Sequence, residues 1–498
     1  MGRFTLPLIV VAFFSVTAAG YGVFRDELYY FACARHLDWG YVDHPPMIAV
    51  LAALVRVMFG ESYLAARLLS ALAAGGTVLL VGDTTCELGG GRWARLLAQA
   101  RAATTPVYLA LFSIFTMNAF DVLVWAALMR IVARILNGGN ERLWLPFGVI
   151  AGLGLLNKLD VGLLGAALAV GLVLAWRVDV VRTPWVWIGL AIALGLFVPH
   201  VIWQAHHGWP TREFVANAQR AKIAYLGPLG FVGSQFRDVG PVGFTLALAG
   251  LGWLLVAPRA RPFRPIGWAI LIVLVVFAAS ISKPYYFSPA LTGLFAAAGV
   301  AMEGWTAGRF ARPARATTLA LVLLILAVAP LAKPLLSEEV YVRYAAALGI
   351  TPTGDERNRL GRLPQLFADM HGWRELAEAV AKVAATLPPD ERARVCVYGS
   401  NYGEAGAIDF FRSELDLPPV ISGHNSYWLW GPGACRGDVL LIIGGRAESH
   451  KASFGVVEAA AVVRCRYCMP FEDNLTIWVA RGLKAPIDTV WLTIKRFI

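Results

Sequence analysis

RDELYYFACARHLDWGYVDHPP, residues 25–46, decides how the rest of the chain is read, because it gathers acids, bases and aromatic side chains between two long apolar runs. Asp26 and Glu27 follow directly on the apolar run 6–23. If that run crosses a bilayer, two carboxylates stand at its lip, a position costly for charge unless it is solvated or paired, and so a functional site by default. One acid beyond a span marks only the water interface. A pair followed by Tyr29, Tyr30, His36, Asp38, Trp39, Asp43 and His44 marks an active-site loop.

Of 498 residues, 58% are hydrophobic and 15% charged, which a soluble chain of this size does not need and a polytopic membrane protein does. Eleven apolar runs, 6–23, 62–81, 94–112, 119–136, 143–156, 161–176, 184–203, 239–256, 266–281, 287–302 and 317–332, stand as candidate spans, a crossing needing about 20 largely apolar residues. The two runs beside 157–160 are short, and the break between them reads as a tight hairpin at membrane depth. Run 46–59, opened by Pro45-Pro46, is too short to cross and reads as a helix lying along the interface. The first run is expected to be retained and not removed as a signal peptide.

A net charge of +11 would suggest nucleic acid in a soluble protein, but here Arg92, Arg95, Arg142, Arg177, Arg182, Arg259, Arg261, Arg264, Arg309, Arg312 and Arg315 fall in alternate short loops. That is a positive-inside pattern and argues against a nucleic-acid partner. It puts the loop around Asp26, the turns 117–121 and 157–160, the loop 204–238, residues 283–286 and the tail on the outer face. The expected architecture is mainly α and polytopic: about eleven transmembrane helices in 1–334 with an outer-face loop 24–61, then a soluble extracytoplasmic α/β domain at 335–498.

In that tail, 373–385 has helical spacing, and 395–398, 439–443 and 474–480 are short apolar runs bounded by turn residues. SNYGEAGA at 400–407 follows a strand and precedes a helix, yet its glycine spacing fits neither a dinucleotide nor a P-loop fingerprint. Cys396, Cys435, Cys465 and Cys468 permit disulfides in an exported domain. The Cys465-x-x-Cys468 spacing alone supports neither a redox nor a zinc assignment, there being no second pair.

RDELYY at 25–30, WGYVDHPP at 39–46, NAFD at 118–121, GLLNK at 154–158, WQAHHGWPTREF at 203–214, KPYYFSPA at 283–290, YGEAGAIDFF at 402–411 and PPVISGHNSYWLWGP at 418–432 together resemble bacterial glycosyltransferase family 39, within the protein mannosyltransferase and aminoarabinose transferase superfamily of GT-C fold. The resemblance implies transfer of a sugar from a polyprenyl-phosphate carrier to a glycan, lipid or protein acceptor at the outer face of a bacterial plasma membrane, with no nucleotide-sugar site. It places Asp26, the first acid of the family's pair, as the base. Glu27 then orients it, holds a metal or faces an adjacent helix, and Asp121 is a second carboxylate of the site.

The chemistry agrees, since glycosyl transfer needs a base for the acceptor's proton and fixed cations for the departing phosphate. Lys283 and Arg25 lead as phosphate partners, with Lys158, Arg220 and Lys222 behind them and snorkelling as the plain alternative for each. Tyr29, His44, Tyr285, Tyr286 and Trp209 are candidate substrate contacts, although an aromatic belt equally explains the interfacial aromatics. His44 stands where some relatives carry Lys, and a neutral imidazole is the weaker phosphate partner. No cofactor is required; Asp43 and His44, with His206 or His207, offer the side-chain types of a divalent-metal site. The rival class, a lipid or sugar transporter or flippase, would show an internal repeat and polar groups near the midplane. No repeat is present, and the acids cluster at one face.

Reporter fusions after Leu335 are expected to be active only with an exported reporter. Activity of a cytoplasmic reporter at that junction would invert the side of every loop named above.

Overall fold

The first apolar run stops early. In the computed structural model, which describes residues 2–498, it is helical only over Thr5–Val16, roughly 18 Å at 1.5 Å per residue against a hydrocarbon core of about 30 Å. Gly20 and Gly22 adopt φ of 54° and 124°, a region glycine enters without steric cost. The chain therefore turns before Arg25, and the acidic pair opens a new helix, Arg25–Arg35, instead of ending the first.

One unit comprises the residues up to Gly20, Leu64–Trp203 and Ile223–Leu335. Among the described residues six helices are long and apolar enough to cross a membrane: Tyr63–Glu87, Pro184–His206, Gly227–Val256, Pro258–Ala279, Pro284–Trp305 and Ala311–Leu331. They mark a multi-pass membrane protein. Other expected spans are shorter, broken or more charged. Run 94–112 divides into Arg92–Thr104 and Pro106–Leu111, because Pro106 has no N–H to donate and holds Thr105 extended. Met117–Leu136 has the length but carries Asp121, Arg130 and Arg134. The expected break at 157–160 is present, between Trp144–Leu155 and Asp160–Leu174.

Close helix contact in this unit needs glycine. A Cβ on Gly250 would lie 2.2 Å from the Leu294 carbonyl oxygen, far inside the contact minimum of about 3.5 Å. The helix Gly227–Val256 is kinked at Gly240, whose φ is 70°, ahead of Pro241. Arg101, buried, donates to the Val239 carbonyl at 2.6 Å and packs over Phe295. The guanidinium thereby meets a backbone acceptor beside the kink, where regular helix pairing is interrupted.

The second unit comprises Tyr21–Tyr63, Gln204–Lys222 and Leu336–Ile498. The loop around Asp26 thus clusters with the tail and not with the apolar helices. Its sheet has β1 (Cys396–Tyr398), β2 (Val420–Ile421), β3 (Val439–Ile443), β4 (Phe454–Val463) and β5 (Leu475–Leu483) in the order β2-β1-β3-β5-β4. β1 pairs parallel with β2 and β3; β5 is antiparallel to both β3 and β4, with a bulge at Ala459/Ala461. β3, the central strand, is buried along its length and wholly apolar, as a strand covered on both faces must be. A disulfide joins Cys396 to Cys435, while Cys465 and Cys468 are free thiols. The short run after Pro46 is the helix Met47–Phe59, which buries Ile48, Ala49, Ala52 and Val55 and exposes Leu54, Val57, Met58 and Phe59.

Gly250→Ala is expected to destabilise the protein by about 1–3 kcal/mol through overpacking. Gly252→Ala, with open space around its Cβ, should be neutral or slightly stabilising. Thermal unfolding of the purified protein distinguishes the two, and equal melting temperatures would show that the backbone contact at Gly250 does not constrain the packing.

Candidate active site

Helix Arg25–Arg35 packs against helix Tyr402–Leu415 through glycine. A Cβ at Gly403 would sit 2.7 Å from Arg25 Cγ, and one at Gly406 would sit 3.0 Å from Leu28 Cβ. The glycines of the 400–407 segment therefore serve helix packing, which accounts for their departure from any phosphate-loop spacing. Asn401 caps the second helix, its side-chain oxygen accepting from the N–H groups of Gly403 and Glu404 at 2.8 and 3.0 Å. That cap fixes the next residue, Tyr402, whose hydroxyl donates to Asp26 Oδ1 at 2.8 Å.

Asp26 is the accessible acid of this cluster, with 33% of its side chain exposed. Arg25 lies beneath it, Nε 3.7 Å from Asp26 Oδ1 and Nη1 3.5 Å from Asp369 Oδ1, with its guanidinium over the Tyr402 ring. Half-buried Asp43 is held in a parallel way, since Tyr29 donates to Asp43 Oδ1 at 2.9 Å, and the Tyr29 and Tyr402 rings lie 4.9 Å apart. Burial raises the Asp43 carboxyl above its ordinary range, and the charge of nearby Asp26 adds to the rise.

Buried acids back this surface. Burial lifts Asp369 to about 6 against the opposing pull of Arg25. Asn401 Nδ2 donates to Glu404 Oε1 and to Glu472 Oε1, each at 2.9 Å. Burial raises both of those carboxyls, Glu472 to about 7, as expected when two like charges share a low-dielectric site. His424 accepts from the Tyr402 N–H at 3.0 Å, and burial lowers it to about 3, so it stands neutral behind the acids.

Several expected site residues are structural instead. Glu27 is fully buried, and its carboxylate accepts the Phe24 N–H at 2.7 Å, capping its own helix. Tyr29 is 1% exposed and shares hydrogen bonds with Ser426. His44 is equally buried, its Nδ1 2.8 Å from the Pro45 carbonyl and its ring packed on Tyr30 and Tyr41. Neither side chain presents a surface to substrate. His206, His207 and Trp209 are exposed. Among the described residues no three His, Cys, Asp or Glu side chains gather as metal ligands, so Asp43, His206 and His207 do not form a set.

The apolar unit holds a separate cluster. Lys158 Nζ lies 3.1 Å from Asp121 Oδ2 and 3.0 Å from Asp160 Oδ2, and 4.7 Å from the centre of the Tyr286 ring. Asp121 is fully buried. Lys158, expected to meet a phosphate, is already paired with two carboxylates. Lys283 packs over Tyr285, whose ring is 5.0 Å from that of Tyr286. Sequence reasoning missed Tyr402, Asp369, Glu472 and the role of Asp160. Tyr402 lies in a conspicuous segment, but nothing in its spacing names Asp26, 376 residues away, and Asp160 stands two residues from Lys158, its partner.

Glu472→Gln tests the buried pair. A carboxyl raised from 4.5 to about 7 favours the fold below the lower value and loses that contribution as pH rises through the upper one. The glutamine variant is therefore expected to gain roughly 1–3 kcal/mol over the parent at about pH 8 and nothing near pH 4. Melting temperatures across that range check it, and a gain independent of pH would show that the buried Glu472 carboxyl is not raised.

Residues 43–203 match the family model for dolichyl-phosphate-mannose-protein mannosyltransferase. The lipid A galacturonosyltransferase RgtD of Rhizobium johnstonii is 26% identical over 294 residues, which are 57% of this chain and 60% of that relative. The chain thus spans less than two thirds of that relative's length. ArnT from Cupriavidus metallidurans bound to undecaprenyl phosphate superimposes with a TM-score of 0.64 at 14% identity, covering 95% of this chain and 97% of that one. The same protein in its apo state gives 0.61 over equal coverage. Residues 43–203 thus resemble a protein mannosyltransferase family, part of the chain is similar to a lipid A galacturonosyltransferase, and the fold is that of ArnT.

Proposed function

We propose that this protein transfers a sugar from a polyprenyl-phosphate carrier to an acceptor hydroxyl at the outer face of a bacterial plasma membrane, with Asp26 as general base. One observation carries the assignment: Asp26 keeps a third of its side chain exposed and is oriented by Tyr402, whereas Glu27, Asp369, Glu404 and Glu472 around it are buried. An alcohol's pKa lies far above that of any carboxylate, so proton removal must accompany attack on the anomeric carbon. Such a base contributes on the order of 10²- to 10⁴-fold. The sugar–phosphate bond breaks as the new glycosidic bond forms, and the carrier leaves as polyprenyl phosphate.

The carrier is supported by the undecaprenyl phosphate in the ArnT structure. A lipid A-type glycolipid acceptor is supported by the name of the curated relative. The Cys396–Cys435 disulfide supports an oxidising compartment, in keeping with the arginine pattern of the loops. Lys283, which packs over the Tyr285 ring, is assigned the carrier phosphate.

Asp26→Asn is expected to fold, bind donor and lose on the order of 10²- to 10⁴-fold in turnover, measured as transfer from a purified polyprenyl-phosphate sugar to extracted envelope lipids. Tyr402→Phe should lower kcat with little change in KM. Lys283→Ala should weaken donor binding far more than Lys283→Arg. Near-parental turnover in Asp26→Asn, with loss in Asp121→Asn, would move the base to Asp121.

A further inference from the structure

The function above makes no use of Cys465 and Cys468. They lie in the same unit as the Cys396–Cys435 disulfide, yet they remain thiols. Their surroundings are unequal. Cys465 is partly exposed, whereas Cys468 is 5% exposed. The Cys468 N–H points at Cys465 Sγ at 3.2 Å, and the Cys468 thiol lies 3.2 Å from the Cys465 carbonyl oxygen. Asp473 Oδ1 accepts the Cys465 N–H at 2.8 Å and closes the turn. The space beside the sulfur is kept by Gly372, where a Cβ would come within 3.1 Å of Cys465 Sγ.

We propose that Cys465 and Cys468 are a redox-active dithiol, with Cys465 the attacking sulfur and Cys468 the resolving one, and that its partner is an external disulfide. The Cys465 thiolate attacks one sulfur of that disulfide, whose S–S bond breaks and releases a thiolate. A mixed disulfide remains on Cys465. Cys468 passes its proton to the released thiolate and attacks Cys465 Sγ, forming the internal disulfide and expelling a second thiolate, which takes back from solvent the proton that Cys465 gave up on ionising. Two electrons and two protons leave the pair and appear in the two thiols.

The attacking role needs an accessible thiolate, and hydrogen bonds supply its stabilisation. The Cys468 thiol and the backbone N–H groups of Tyr467 and Cys468 lower the pKa of Cys465, with burial and the charge of Glu375 opposing them. The same contact holds the proton on Cys468. The turn is also connected to the acids described above, since it runs directly into the short helix Pro470–Glu472, and the Glu472 carboxylate accepts from Asn401.

The test uses the full-length protein in lipid nanodiscs with glutathione disulfide as the probe. Peptide mass spectrometry of the parent should find a Cys465–Cys468 disulfide and no lasting adduct, with Cys396–Cys435 unchanged. Cys468→Ser should trap glutathione on Cys465, and Cys465→Ser should acquire it on Cys468 on the order of ten times more slowly. The parent also supplies a measurement that no folding defect can spoil, since iodoacetamide should label Cys465 about ten times faster than Cys468 at neutral pH. A parent that stays a dithiol in glutathione disulfide, or a Cys468 that reacts as fast as Cys465, would overturn the proposal.

Discussion

The candidate site depends on how closely two helices approach. Arg25–Arg35 and Tyr402–Leu415 are separated by more than 300 residues of chain, and a hydroxyl on one reaches a carboxylate on the other because Gly403 and Gly406 carry no side chain at the contact. Widening that contact by a methyl group would lengthen the Tyr402–Asp26 hydrogen bond and lift the Tyr402 ring from the Arg25 guanidinium. The Asn401 cap acts at the same place, setting the start of the helix and with it the position of Tyr402. Packing, capping and orientation of the acid are therefore one constraint seen at three scales.

Burying charge is the opposing cost. Removing an ion from water costs several kcal/mol even after relaxation, and only paired and hydrogen-bonded ions offset it. Each unit answers this with a mixed cluster. Around Arg25 the acids outnumber the nearby base, and raised carboxyl pKa values at Asp369, Glu404 and Glu472 are the consequence. Around Lys158 two carboxylates face one ammonium within an otherwise apolar unit. Tyr286 beneath the ammonium adds a cation–π contact, worth about 0.5–2 kcal/mol. Asp26 differs from the buried acids in keeping a third of its side chain exposed, an access that the proposed exchange of a proton with substrate would need.

Sequence alone determined the class of molecule. Long apolar runs separated by arginine-bearing loops leave a membrane protein as the physical solution, and the density of acids and aromatics in 25–46 marked that loop as the candidate site. The break at 157–160 and the disulfide-capable tail were legible for the same reason, since each depends on residues close in sequence or on composition. Tertiary structure decided which acid of the pair is exposed and which caps a helix. Asp26 and Glu27 are neighbours of like chemistry, and they part only because helix geometry turns one toward solvent and the other back to the Phe24 N–H. It also decided that Tyr29 and His44 are interior, that the glycines at 403 and 406 serve packing, and that Lys158 is paired. The glycine contacts, the Tyr29–Ser426 hydrogen bonds and the Lys158–Asp121 pair join residues far apart in the chain, and one-dimensional spacing carries no record of such contacts.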